Sequence, residues 1–197
     1  MIFTMELPQM TQKLQTLLTP KRFAHSVGVS LTARRLAEMY GADADKAEIA
    51  GLLHDCAKNM PKDVMVRLCD ELEVELDEET RLQLSLVHAD LGAKLCQTEF
   101  GITDKEIISA IKYHTLGKPN MTTLEKVVFL ADAIEPTRTE HEGLSELRRL
   151  AEIDIDEAVY FSSELTIRFV TSKGCKLHSQ TLKTRDYYKK CRKRVSI

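Results

Sequence analysis

Little in this sequence points towards a membrane, a nucleic acid or an oxidising compartment. No stretch approaches the roughly 20 apolar residues that a membrane-spanning helix needs. Neither sign of charge dominates. The chain carries 28 Lys plus Arg against 30 Asp plus Glu, a formal net charge of -2, so there is no strong nucleic-acid signal. The five cysteines, Cys56, Cys69, Cys96, Cys175 and Cys191, are odd in number and lack CxxC spacing. That argues against a disulfide framework or a structural zinc knuckle and for reduced thiols. Met1 to Met10 includes Glu6 and has no basic segment ahead of an apolar one, unlike a secretory signal. A cytoplasmic protein is the expectation. Also missing are alternating strand patterns of useful length, an Asn-Gly hairpin, an internal repeat and any low-complexity tract. What these absences leave is an all-α chain of 197 residues, long enough for one domain with a substantial core.

Helical punctuation supports that class. Thr19-Pro20 reads as an N-cap followed by proline at the first helical position, and Gly41 closes the segment. Inside it Phe23, Val27, Leu31 and Ala33 to Leu36 supply an apolar stripe. A second helix is expected from Asp43 to Asp45 through Ile49, Leu52 and Leu53. Pro61 opens another, running into the acidic stretch Glu71 to Glu79. His88 starts a segment that Gly101 terminates. Thr103 is expected to cap Asp104 to Tyr113, with Gly117 as the stop. Thr122 and Glu125 have capping-box spacing, and Pro136 ends the helix they begin. Asp154 or Asp156 starts a long final helix through Leu165 and Phe169, stopped by Gly174. Usual helix and loop lengths then give about eight to ten helices. Lys189, Lys190, Arg192, Lys193 and Arg194 form a basic cluster that reads as a solvated tail, with a phosphate or RNA contact as the alternative.

The residues that carry chemistry are histidines and aspartates. His54-Asp55 lies in Gly-Leu-Leu-His-Asp-Cys-Ala-Lys (Gly51 to Lys58), at the polar end of an apolar helical stretch. Adjacent residues diverge around a helix by about a third of a turn, so both can face one ion only near a helix end or beside a cleft. Lys58, one turn after His54, can face the same cavity and neutralise an anion there. His25, His88, His114 and Asp132 each sit on, or at the end of, a different expected helix. Each also has an ordinary reading: a hydrogen-bonded core histidine, or, for Asp132, an ion pair with Arg138 or a lysine. His141 and His178 lack comparable surroundings. Imidazole with carboxylate and no thiolate suits iron, manganese or zinc in catalysis rather than a closed structural zinc site. Six ligands exceed the need of one catalytic ion and fit a two-metal site bridged by Asp55, an arrangement used for phosphoester cleavage.

The order His…His-Asp…His…His…Asp resembles the HD-domain phosphohydrolase superfamily. Its minimal pattern is matched by His25, His54-Asp55 and Asp132, and its two-metal branch by the additional His88 and His114. The resemblance narrows over five segments: Lys21 to Val29, Ala50 to Lys58, Val87-His88 with Gly92-Ala93, Ala110 to Gly117, and Leu130 to Pro136 with Arg138. These look like the bacterial YqeK-type symmetrical bis(5′-nucleosyl)-tetraphosphatases, over roughly Leu18 to Lys183. One departure is His178-Ser179-Gln180-Thr181, where the family often shows His-Pro before a Thr.

The resemblance implies a single-domain HD-domain helical bundle at 18–183, a helical lead-in at 1–17 and the basic tail at 184–197. It implies hydrolysis of diadenosine tetraphosphate to two ADP, with a hydroxide between two metal ions as nucleophile. Iron is the expected metal, with manganese as the alternative. His25, His54 and Asp132 are assigned to one ion, His88 and His114 to the other, and Asp55 to both. Arg22, Lys58 and Arg138 are the expected phosphate contacts, a planar guanidinium suiting bidentate binding. Thr115 and Gly117 would add hydroxyl and backbone donors. A homodimer is compatible with the sequence. The competing readings are an HD hydrolase of a nucleoside monophosphate or guanosine alarmone, and a non-catalytic nucleotide- or metal-binding regulatory module.

Overall fold

Thr19 and Pro20 begin the longest helix as their chemistry predicts: the Thr19 hydroxyl accepts the Arg22 amide, and Gly41, at φ +70°, ends it. The computed structural model describes residues 5–191, and among these it contains only helices and connecting segments. In chain order they are α1 (Leu7–Leu17), α2 (Pro20–Tyr40), α3 (Ala44–Leu53), α4 (Lys62–Glu71), α5 (Glu78–Leu82) and α6 (Val87–Phe100). There follow α7 (Lys105–Tyr113), α8 (Thr123–Ile134), α9 (Leu144–Ile153), α10 (Ile155–Ser172) and α11 (Ser179–Cys191). No described helix is long and apolar enough to cross a membrane.

That makes eleven helices among the described residues rather than eight to ten. Three of them go beyond the expectation. Helix α5 is a single turn inside the acidic stretch, capped by Asp77. Helix α9 starts at Gly143, whose φ of +88° admits the turn without any capping side chain. Helix α11 follows α10, which is therefore not the last. A smaller difference concerns α7, capped by Asp104 rather than Thr103: the Asp104 carboxylate accepts the amides of Glu106 and Ile107.

The centre of the bundle is α8. Leu124, Val127, Val128, Phe129, Leu130, Ala131 and Ile134 are all buried, and a helix apolar on nearly every side belongs inside a protein. Helices α2, α3, α7 and α10 pack around it. The heaviest packing joins α2 to α3. There Gly51 lets the backbones approach, since a Cβ on it would lie 2.9 Å from Ser30 Cα.

Helix α11 covers the turn after α7. Thr184 donates to the Leu116 carbonyl at 2.9 Å, Gln180 Nε2 to the Gly117 carbonyl at 3.3 Å, and the Met121 amide donates to the buried Tyr188 hydroxyl at 2.8 Å. The stretch after residue 183 is thus part of a packed helix as far as Cys191. Lys189 and Lys190 are exposed at its end; Arg192, Lys193 and Arg194 of the basic cluster lie outside the described residues.

Candidate metal centre

Five helices bring the six candidate ligands together at one end of the bundle. His25 lies on α2, His54 and Asp55 follow the last residue of α3, and His88 is the second residue of α6. His114 follows α7, and Asp132 stands two residues before the end of α8. The adjacent pair sits at a helix end: beyond Leu53 the chain enters turns, His54 itself keeps right-handed helical angles, and its Nε2 lies 3.4 Å from Asp55 Oδ2. Gly92 on α6 packs against this turn; a Cβ on it would make ordinary contact with the His54 carbonyl, at 3.5 Å.

All four imidazoles are buried, and each has its Nδ1 anchored. His54 Nδ1 donates to the Gly51 carbonyl at 2.7 Å, His88 Nδ1 to Ser85 at 2.8 Å and His114 Nδ1 to Ile111 at 2.7 Å. His25 Nδ1 meets the buried Glu135 carboxylate at 3.0 Å. Acceptors at every Nδ1 hold a proton there and turn each Nε2 inward. Such outer partners fix tautomer and ring orientation in metal sites.

Asp55 stands between the imidazoles. Its Oδ2 is 3.4 Å from His54 Nε2 and 3.9 Å from His25 Nε2; its Oδ1 is 3.3 Å from His88 Nε2 and 3.6 Å from His114 Nε2. Asp132 Oδ1 lies 3.0 Å from His25 Nε2 and 3.6 Å from His54 Nε2. The buried Nε2 atoms of His25 and His54 make no hydrogen bond of proper geometry, and buried polar atoms left so demand a partner. A divalent cation is the partner this donor set suits. Three overlapping trios have mutually close ligand atoms: His25-His54-Asp55, His54-His114-Asp132 and Asp55-His88-His114. The residues therefore fit a divalent metal held by imidazole and carboxylate.

Cations line the same space. Arg22 donates to Asp55 Oδ2 at 2.8 Å, and Arg138 pairs with the Asp132 carboxylate while its Nε donates to the Asp132 carbonyl at 2.7 Å. Lys58 Nζ is 3.0 Å from His88 Nε2. The Thr115 hydroxyl lies 2.9 Å from His114 Nε2 and 3.2 Å from His88 Nε2. Gly117 differs from expectation: its amide already donates to the Tyr113 carbonyl at 2.9 Å. With φ +62° and Thr184 Cγ2 only 2.7 Å from where a Cβ would be, Gly117 shapes the turn beneath α11 and has no spare donor for a phosphate.

This crowding of charges governs titration. Burial alone would raise the Asp55 and Asp132 carboxyls, but His54 and His114 hold Asp55, and His25 and His54 hold Asp132, well below the usual carboxylate range. For His54, burial opposes the charge, yet Asp55 and Asp132 push its pKa up to about 10. His88 goes the other way, lowered to about 3 by burial and by the positive charge of His114 and Lys58. Burial also lowers Lys58, against the pull of Asp55 and Asp132. The ionised carboxylates and neutral His88 are in the form that metal ligation requires, and His54 would release a proton as an ion binds.

Sequence reasoning missed the outer partners. Glu135 is the principal one: it orients His25, accepts the Thr137 amide and hydroxyl at 2.7 Å each, and sits where a Cβ on Gly28 would lie 2.5 Å from its Oε2. An acidic residue directly after an apolar helix and before Pro136 was the available signal. His141 is exposed, and His178 is buried elsewhere, 3.1 Å from the Thr80 hydroxyl; neither joins the cluster.

A cleft of about 760 Å³ opens beside the cluster, bounded there by His114, Thr115, Asp132 and Arg138. A helical bundle with His, His-Asp, two further His and a late Asp gathered at one end defines a class. The chain belongs to the HD domain family, which it matches over residues 22–137. Within that class it is 43% identical over 170 residues to the symmetrical bis(5′-nucleosyl)-tetraphosphatase of Bacillus subtilis (strain 168), covering 85% of this chain and 89% of the relative. It is 41% identical over 169 residues to the protein of the same description from Halalkalibacterium halodurans, with 85% and 88% covered. Its fold matches the crystal structure of a predicted HD superfamily hydrolase involved in NAD metabolism from Clostridium acetobutylicum. The TM-score is 0.90 at 41% identity, covering 95% of this chain and 98% of that one.

Proposed function

We propose that this protein is a metal-dependent hydrolase that cleaves diadenosine tetraphosphate symmetrically into two ADP. The observation that carries the chemistry is the set of four anchored imidazoles whose Nε2 atoms face Asp55, with separate pairs near its two carboxylate oxygens. The symmetrical tetraphosphate comes from the relatives, which match the chain over most of its length.

In this reading His25, His54 and Asp132 would hold one ion, His88 and His114 the other, and Asp55 would contribute to both. Bound ions of this kind lower the pKa of water towards about 7 and stabilise charge on a phosphoryl group. Iron is the metal proposed, with manganese as the alternative. The protein's own groups do the rest. Glu135 and the Gly51, Ser85 and Ile111 carbonyls keep the rings in register. Arg22, Lys58 and Arg138 would offset the charge of the phosphates, and the Thr115 hydroxyl would add a neutral donor. Water adds its oxygen to one central phosphorus; the bond to the bridging oxygen breaks, and that oxygen leaves with the second ADP. The free state of all five thiols is in keeping with a cytoplasmic setting.

The test is product identity. Protein purified anaerobically and supplied with iron or manganese is expected to release ADP alone from diadenosine tetraphosphate, and Asp55→Ala to abolish turnover. Release of AMP and ATP would sink the symmetrical assignment. A better rate on NAD, a nucleoside monophosphate or a guanosine alarmone would redirect the substrate, and absence of any hydrolysis would leave a binding module.

A further inference from the structure

The cleft is longer than the metal cluster needs. From Asp132 and Arg138 it extends between the 138–147 segment and α10. Ser162, Leu165, Thr166, Phe169 and Ser172 line that side, and their spacing of three or four residues puts them on one face of α10. The opposite segment is seated by Gly143, whose missing Cβ would lie 2.7 Å from Leu165 Cδ2. The α10 face changes character along its length. Ser162 is buried, whereas Phe169 is 63% exposed.

An aromatic ring exposed in the wall of a cleft offers a face on which a planar group can stack. Its surroundings say which kind. Arg168 lines the same cleft and forms no ion pair among the described residues. The Lys173 ammonium lies 5.8 Å from the Phe169 ring centroid. Ring face, free guanidinium and ammonium together match a nucleobase carrying a phosphorylated ribose: bases stack on aromatic faces and on Arg, largely irrespective of base identity. A second apolar chain would use the ring but leave both charges unanswered.

We propose that the outer end of this cleft is a nucleoside subsite, in which a base of the substrate stacks on Phe169 while Arg168 meets its ribose-phosphate. The inference rests on the dinucleotide reading above, in which the substrate carries a nucleoside beyond its phosphates. It makes Phe169 a specificity-determining residue. Base-free polyphosphates bind without it, and adenine and guanine dinucleotides both use it.

The sequence contains no tryptophan, so Phe169→Trp places a single indole at the subsite. In metal-loaded protein, ADP and GDP are expected to quench its fluorescence, and pyrophosphate or ribose 5-phosphate to leave it unchanged. Phe169→Ala is expected to weaken ADP binding about tenfold with pyrophosphate binding unaltered, and Phe169→Tyr to restore it. Equal quenching by pyrophosphate, or an unchanged ADP affinity in Phe169→Ala, overturns the subsite. The two readings fail separately. Wild-type protein that cuts diadenosine tetraphosphate while Phe169→Ala binds ADP normally contradicts the subsite alone. Phe169-dependent ADP binding without hydrolysis contradicts the activity and leaves the subsite standing.

Discussion

At the scale of single residues, the site is an arrangement of lone pairs. An imidazole serves a metal well only if one nitrogen is committed elsewhere, and here three backbone carbonyls and one carboxylate supply that commitment. The carboxylate is the most exposed to experiment, because Glu135 acts on the metal only through His25. Glu135→Gln is expected to weaken metal retention about 10- to 100-fold, the usual cost of losing an outer-shell partner. Competition with a calibrated chelator measures this, and unchanged retention would assign Glu135 to the Thr137 turn alone. The six clustered residues were legible in the sequence because His and Asp inside apolar-periodic segments are conspicuous. Their orienting partners were not. Three are main-chain oxygens whose positions come from helix ends, and Glu135 resembles any other acidic residue until α2 and α8 are seen side by side.

At the scale of elements, close backbone approach decides where the ligands meet. Gly51 allows α3 to lie against Ser30 of α2, and this contact sets His25 and the His54-Asp55 turn in one frame. Gly51→Ala is expected to cost about 1–3 kcal/mol, the range for overpacking a tight contact. A urea titration should show a lower midpoint with an unchanged slope; an unaltered midpoint would mean that the helices separate freely. The same scale shows what sequence punctuation can and cannot deliver. Thr19-Pro20, Gly41 and the Thr122-Glu125 capping box are local devices, and each begins or ends a helix where its chemistry predicts. Helix α9 has no capping side chain. Helix α11 owes much of its place to tertiary partners, with Thr184 and Tyr188 bonded to the 116–121 turn, and such partners are silent in a one-dimensional pattern.

At the scale of the molecule, the folded bundle concentrates two carboxylates, four imidazoles and three cationic side chains at one end, most of them buried. An ion that binds this arrangement and not the unfolded chain must stabilise the fold by mass action. Free metal at 100 times its dissociation constant contributes about 2.7 kcal/mol. For a domain of this size that raises the melting temperature by roughly 5–10 °C. Calorimetry with and without a chelator reads the difference, and an unchanged melting temperature in protein shown to carry metal would contradict coupling between site and fold. The central claim is more direct still: two ions share Asp55. Anomalous diffraction from crystals of iron- or manganese-loaded protein tests it. The account predicts two peaks about 3.5–4 Å apart, one beside His25, His54 and Asp132 and the other beside His88 and His114, with Asp55 between them. A single peak, or two that do not share Asp55, would contradict it.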